Sequence, residues 1–340
     1  MVRKLLIILM TFSVFSNLKA QDVHFSQFSE NAMMLNPAHA GLYKGDFRAY
    51  LNYKNQWAAI SKVYQTYAVS ADFIMFKNNS DMKATGIGIS AYQDIAGASK
   101  TKTTRVDLNL SQTIYLSAFS DISLGIGGTY MSMSANYVGL QWGTQYNGVE
   151  YVETLPTNES FTGFNENIFD FSAGLIYRRF DRRDYPLEVG ISAYHLTQPK
   201  IGIINADDNL PMKLTFHASK EFGIPKTSLG YVLSLYASSQ RTARELNVGF
   251  LIRKNYGVVS KYTGYYKNVS LYLGGYYRFG DAAIAMVKMK MYQKYTVGLS
   301  YDFNISKLLA ASNLRGGPEL SFSYTGTIFR YNISNPKSLD

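Results

Sequence analysis

The chain has 340 residues, 34 Lys and Arg against 24 Asp and Glu for a formal charge of +10, and no cysteine. Without cysteine a disulfide framework, a thiolate nucleophile and a thiolate-held metal are all excluded. The basic surplus is spread without a Lys/Arg block, which argues against nucleic acid as a partner. Aromatic usage is skewed, with 28 Tyr and 20 Phe against 2 Trp, and 27 Gly are scattered through alternating segments. This is the composition of β-structure rich in rings suited to a membrane–water boundary.

Residues 1–20 read as an export signal. Arg3 and Lys4 make a basic start, Leu5 to Phe15 an apolar run too short to span a bilayer, and Leu18-Lys19-Ala20 a small-residue exit before Gln21. Losing Arg3, Lys4 and Lys19 lowers the formal charge from +10 to +7, since no acidic residue lies in that stretch.

Residues 21–46 show neither period 3.6 nor period 2, and Asn36-Pro37 and Ala40-Gly41 break any regular element. Four large apolar side chains, Phe25, Phe28, Met33 and Leu35, nevertheless need cover. The expectation is an extended docking segment that acts as a plug in a lumen or as a clasp on its periplasmic side. Phe25, Phe28, Leu35, Asn36 and Pro37, with Trp57 downstream, are the candidate plug or partner-binding residues.

From Phe47 to Tyr331 the chain alternates in strand-length segments separated by polar or glycine-containing turns. Strands are expected to begin near Phe47, Tyr64, Thr85, Thr103, Asp121, Asn167, Tyr185, Leu210, Thr227, Arg244, Asn268, Ala282, Lys294 and Glu319, and 257–267 could add another or extend a neighbour. In the fourth, Val106, Leu108, Leu110, Ile114 and Leu116 oppose Asp107, Asn109, Ser111 and Thr113. A soluble β-sandwich also alternates. A transmembrane antiparallel β-barrel of about 14 strands is preferred, because segments follow one another with almost no helix and several end in tyrosine, as in Gly275-Tyr276-Tyr277. An even strand number returns both barrel ends to the periplasm and puts the long insertion 136–166 and the acidic stretch 205–209 outside. Residues 332–340 read as a tail.

Chemistry has little support. His24, His39, His195 and His217 show no metal-ligand spacing, no GxSxG or P-loop is present, and Asp207 with Asp208 reads better as a solvated loop than as a calcium site. Gly125-Ile126-Gly127-Gly128 fits close backbone approach better than phosphate binding. No cofactor and no enzymatic activity are expected. Asp107, Asp170, Arg178, Glu188, Lys294 and Asp302 fall on the polar phase, which a barrel turns inward, as a paired network filling the lumen or as the lining of a conducting pore.

An ordered set of motifs runs through the mature chain. After the segment 21–41 come Arg48, Asn52-Tyr53-Lys54-Asn55-Gln56-Trp57, Tyr67 and Asp72, then Asp170-Phe171-Ser172-Ala173-Gly174 and His195-Leu196-Thr197-Gln198-Pro199. Gly274-Gly275-Tyr276-Tyr277-Arg278 with Asp281-Ala282, Ser300-Tyr301-Asp302-Phe303-Asn304-Ile305-Ser306 and Glu319-Leu320-Ser321 follow. The set resembles the PorP/SprF family of the type IX secretion and gliding systems of Bacteroidetes. Ala32 and Ala58 stand where that family usually has proline. The resemblance implies an outer-membrane barrel in contact with lipid, whose partners are type IX components and secreted surface proteins such as gliding adhesins. The competing reading is a passive porin or small-molecule transporter; an outer-membrane hydrolase would need a nucleophile and base that no spacing singles out.

Overall fold

The structure, a computed structural model, describes residues 22–56, 64–78, 82–97, 99–136, 140, 142–156, 163–181, 185–201, 209–259, 266–306 and 312–327. Fourteen strands follow in chain order: β1 (Phe47–Asn55), β2 (Tyr64–Asn78), β3 (Lys83–Ala96), β4 (Thr101–Ser117), β5 (Ser120–Asn136), β6 (Gly163–Phe180) and β7 (Pro186–Tyr194). They continue as β8 (Lys213–Gly223), β9 (Leu229–Gln240), β10 (Ala243–Val259), β11 (Tyr266–Arg278), β12 (Ala282–Met291), β13 (Tyr295–Asn304) and β14 (Arg315–Gly326). Each pairs antiparallel with its sequence neighbours, and β1 pairs with β14 to close a barrel. Residues 257–259 end β10 and 266–267 begin β11, so at both ends of the stretch 257–267 the chain extends a neighbouring strand, and 260–265 lie outside the described residues.

The alternation has the sign a membrane requires. On β4, Arg105, Asp107, Asn109, Ser111 and Thr113 are buried while Leu108 is 52% exposed, and on β6 Phe169 is 73% exposed beside buried Asp170. A soluble sandwich would bury the apolar phase. Here that phase faces outward and the polar phase fills the interior, as hydrocarbon outside a closed barrel demands. Among the described residues no helix is long and apolar enough to cross a membrane.

One mouth of the barrel, here the near mouth, carries Phe47 and Gly326, where β1 starts and β14 ends. The far mouth is where the odd-numbered strands end, and between β5 and β6 the described residues 142–156 hold a 3-10 turn at Gly143–Gln145 and a bridge from Tyr146 to Tyr151. Lys294, expected on the inward phase, is exposed in the near-mouth turn between β12 and β13. The alternating pattern runs one residue past the strand, and a turn side chain is not bound by it. Residues 1–20, Trp57, 202–208 and 332–340 lie outside the described residues.

Candidate functional site: the occupied lumen

Residues 22–46 run inside the barrel from the far mouth to the near mouth, where the chain reverses into β1. Asp22 meets three far-mouth residues: His195 just past β7, Lys213 opening β8 and Gln240 closing β9. At the other end Arg178 on β6 donates to the Leu42 carbonyl, and the Asp46 amide donates to Gly326. The segment is not extended throughout. Ala32–Leu35 makes a single helical turn, α1, and Pro37–His39 a 3-10 turn, whose first free amide, that of Ala38, donates to the Asn36 side chain. Proline at the start of a turn and Asn as its cap are favourable locally, which the absence of periodicity concealed.

The first half of the segment is held by buried charge and by aromatic packing. The Glu319 carboxylate, fully buried, accepts the amides of Ser26 (2.7 Å) and Gln27 (3.1 Å) and the Asn52 side-chain amide (2.9 Å). The Ser26 hydroxyl donates to Asp302 at 2.6 Å, and Asp302 also takes Arg278 at 2.8 Å. Lys54 sits 3.7 Å from Asp302 and 3.9 Å from Glu319 and donates to the His24 carbonyl. Phe28 packs on Tyr236 and Tyr276 with ring centroids 5.3 and 5.4 Å away, in a cluster that includes Leu35, Leu251 and Ile284. Phe25 packs with Ala68 and Tyr92.

The second half is fastened through its backbone. Wall hydroxyls donate to the carbonyls of Met34 (Tyr194), Leu35 (Ser192), Ala38 (Ser123) and Ala40 (Ser111), and Arg48 donates to that of His39. The Gly41 amide donates to Asp72, which also holds Arg48 at 2.8 Å. Glycine lets the two backbones touch: a Cβ on Gly125 would lie 2.3 Å from the Ala38 nitrogen, and one on Gly86 would lie 2.1 Å from the Ala40 oxygen. His39 and His217 share the Glu188 carboxylate at 3.0 and 3.7 Å, and Asn36 reaches His217 and the Leu175 and Ile191 carbonyls.

Of the residues singled out in the sequence, Phe25, Phe28, Leu35, Asn36 and Pro37 are all buried within the barrel. Arg178, Glu188 and Asp302 contact the segment directly. Asp170 acts one step back, through His195 at 2.7 Å, and Asp107 pairs with Arg105 at 2.8 Å in the wall. Sequence reasoning passed over Asp22, Lys54, Asp72, His195, Arg278 and Glu319 as network members, although the last five stand inside the motifs quoted above. Their signal was inward phase combined with charge, and it was available for Lys54, Asp72, Arg278 and Glu319.

At the far mouth, burial opposes ionisation of Asp22, yet Lys213 and His195 hold its carboxyl well below the usual carboxylate range. Burial likewise disfavours charge on His195, but its hydrogen bonds to Asp170 and Asp22 raise its pKa above the ordinary imidazole value. His24 is pushed the other way, by burial and by the nearby Arg278 and Lys54 cations. Among the described residues no group of His, Asp and Glu is arranged to hold a metal.

Residues 17–324 match the model of the type IX secretion system membrane protein PorP/SprF. The chain belongs to that family. None of the curated proteins matches. Among solved structures the chain is similar to the Ralstonia pickettii toluene transporter TbuX, with 11% identity, a TM-score of 0.50, and 88% of this chain and 94% of that one covered. A Pseudomonas aeruginosa FadL homologue is also similar, with 11% identity, a TM-score of 0.48, and 87% and 94% covered. At such identity TbuX speaks for the outer-membrane barrel fold alone, and family and fold together place this protein in the outer membrane.

Proposed function

We propose that this protein is an outer-membrane barrel of the type IX secretion machinery that supports secretion and surface anchoring of large cell-surface proteins, with the segment 22–46 closing its lumen. The observation that carries the reading is the family match together with an interior already filled by the chain's own hydrogen-bonded segment. A passive porin needs a free lumen, and here the polar phase of the wall is engaged with that segment. The protein is a binding component with no catalytic step. With both barrel ends in the periplasm, the far mouth and residues 142–156 face the exterior.

Purification from the native envelope in mild detergent tests the reading: type IX components or a large surface protein should remain bound, and planar bilayers should show no steady conductance. A protein that comes away alone and conducts small solutes freely is a porin.

A further inference from the structure

The site that receives Asp22 has the parts of a carboxylate receptor. His195 Nε2 lies 2.9 Å and Lys213 Nζ 3.6 Å from one carboxylate oxygen, and Gln240 Nε2 donates to the other at 3.3 Å. Gln240 turns its own oxygen to the Asp22 backbone amide at 3.3 Å, so the site grips a carboxylate and the peptide unit attached to it. His195 is fully buried, and its Nδ1 is fixed by Asp170 at 2.7 Å. Asp170 in turn takes the Thr197 amide and hydroxyl on its other oxygen. An imidazole oriented from behind by Asp170, an ammonium and an amide make a charge-assisted clamp.

Three further features suit exchange. A cavity of about 60 Å³ adjoins the clamp, lined by Tyr92, Arg105, Tyr194, Lys213 and Tyr236 against Phe25. The Asn31 side-chain oxygen, in a residue 1% exposed that also lines the cavity, has no hydrogen-bond partner among the described residues and is an acceptor open to a peptide N–H. Asp22 also heads the luminal segment, so its release breaks no strand pairing and leaves the anchors at Ser26 and Gln27 in place.

We propose that this far-mouth clamp is a recognition site for a peptide carboxylate presented by a protein at the outer face, and that Asp22 is a built-in occupant that the incoming carboxylate replaces. The carboxylate comes from a chain terminus or from an Asp or Glu side chain. The inference rests on the secretion reading for the source of the peptide and adds the chemistry by which it is held.

The full-length barrel in detergent, as wild type, Asp22→Ala, and Asp22→Ala with Lys213→Met, is titrated with three fluorescent probes. These are a short peptide with uncharged side chains, a labelled N-terminus and a free C-terminal carboxylate, its C-terminal amide, and the amide carrying one glutamate. Asp22→Ala should bind the free acid at least about tenfold more tightly than wild type, and Lys213→Met should remove that gain. The neutral amide should bind neither. Binding of the free acid alone identifies a chain terminus; binding of the glutamate probe as well identifies any carboxylate. Wild-type affinity in Asp22→Ala, or equal affinity for the neutral amide, overturns the proposal. Heat-shifted mobility reports folding, and Gln240→Leu replaces Lys213→Met if the latter does not fold. Co-purifying partners are not measured here, so failure of this test leaves the secretion reading to its own experiment.

Discussion

The two halves of the luminal segment are held by different physics. From Asp22 to Leu35 the chain is gripped by buried charges on β1, β11, β13 and β14 and by aromatic rings, with a cavity left on the side of β3, β4, β7 and β9. From Asn36 to Leu42 it lies against wall glycines, with its carbonyls taken up one after another by wall side chains. The first arrangement selects side chains on the segment. The second selects the absence of side chains on the wall and, apart from the Asn36 and His39 side chains, holds the segment through its backbone. A closure built this way is anchored at the near mouth and depends on side-chain contacts toward the far mouth.

The sharpest way to break the comparison is to strip the first half of its apolar anchors. Phe25→Ala with Leu35→Ala removes two buried side chains at about 2–5 kcal/mol each. Because the barrel's strand pairing does not involve either residue, the loss should fall on docking of the segment. A folded, heat-modifiable barrel that conducts in planar bilayers and no longer supports display of large surface proteins is expected; full display together with a closed lumen would show that these anchors are dispensable.

The second half should respond to wall changes instead. Gly125→Ala places a methyl 2.3 Å from the Ala38 nitrogen, whereas at Gly128 no atom of the described residues lies within 4 Å of an added Cβ. Overpacking against backbone costs about 1–3 kcal/mol. Thermal unfolding of the two variants in detergent should therefore separate, with Gly125→Ala less stable and Gly128→Ala near wild type. Equal midpoints would mean that the second half is not bedded on that wall.

The same contrast explains what the sequence disclosed. Strand positions were legible because the period-2 phase is enforced along every strand by lipid on one side and polar cover on the other: predicted and observed starts coincide at Phe47, Tyr64 and Ala282 and differ by only a few residues at Asn167 against Gly163. The need to bury Phe25, Phe28 and Leu35 was legible for a similar reason, since no aqueous surface accommodates them cheaply. The path of the segment was not legible. It depends on pairings such as Ser26 with Glu319 and Ser123 with the Ala38 carbonyl, nearly 300 and 85 residues apart in the chain. Lys294 marks the converse limit, where a periodic pattern continues past the point at which the backbone stops obeying it.

The smallest effect expected is a pH response confined to the outer end. His195, beyond the end of β7, has its pKa raised in the folded protein because the bonds to Asp170 and Asp22 outweigh burial. A raised pKa means that its stabilising contribution is fully present below the unfolded value of about 6.5 and is lost as pH rises through the folded value. Asp22 is shifted downward, so its contribution is present above about pH 4 and fails only in stronger acid. The clamp is thus tightest in the mildly acidic range and loosens on the alkaline side, while the hydroxyl bonds of Ser111 and Ser123 to the second half carry no such dependence. The chain has no native cysteine, so a nitroxide on Val23→Cys, next to Asp22, reports the far-mouth end alone. Its mobile fraction should grow as the pH is raised from the mildly acidic to the alkaline side, and His195→Gln should flatten that rise and leave the outer end mobile throughout. A label equally immobile across the range would show that the clamp does not depend on the imidazolium, and that Lys213 and Gln240 suffice to hold the carboxylate.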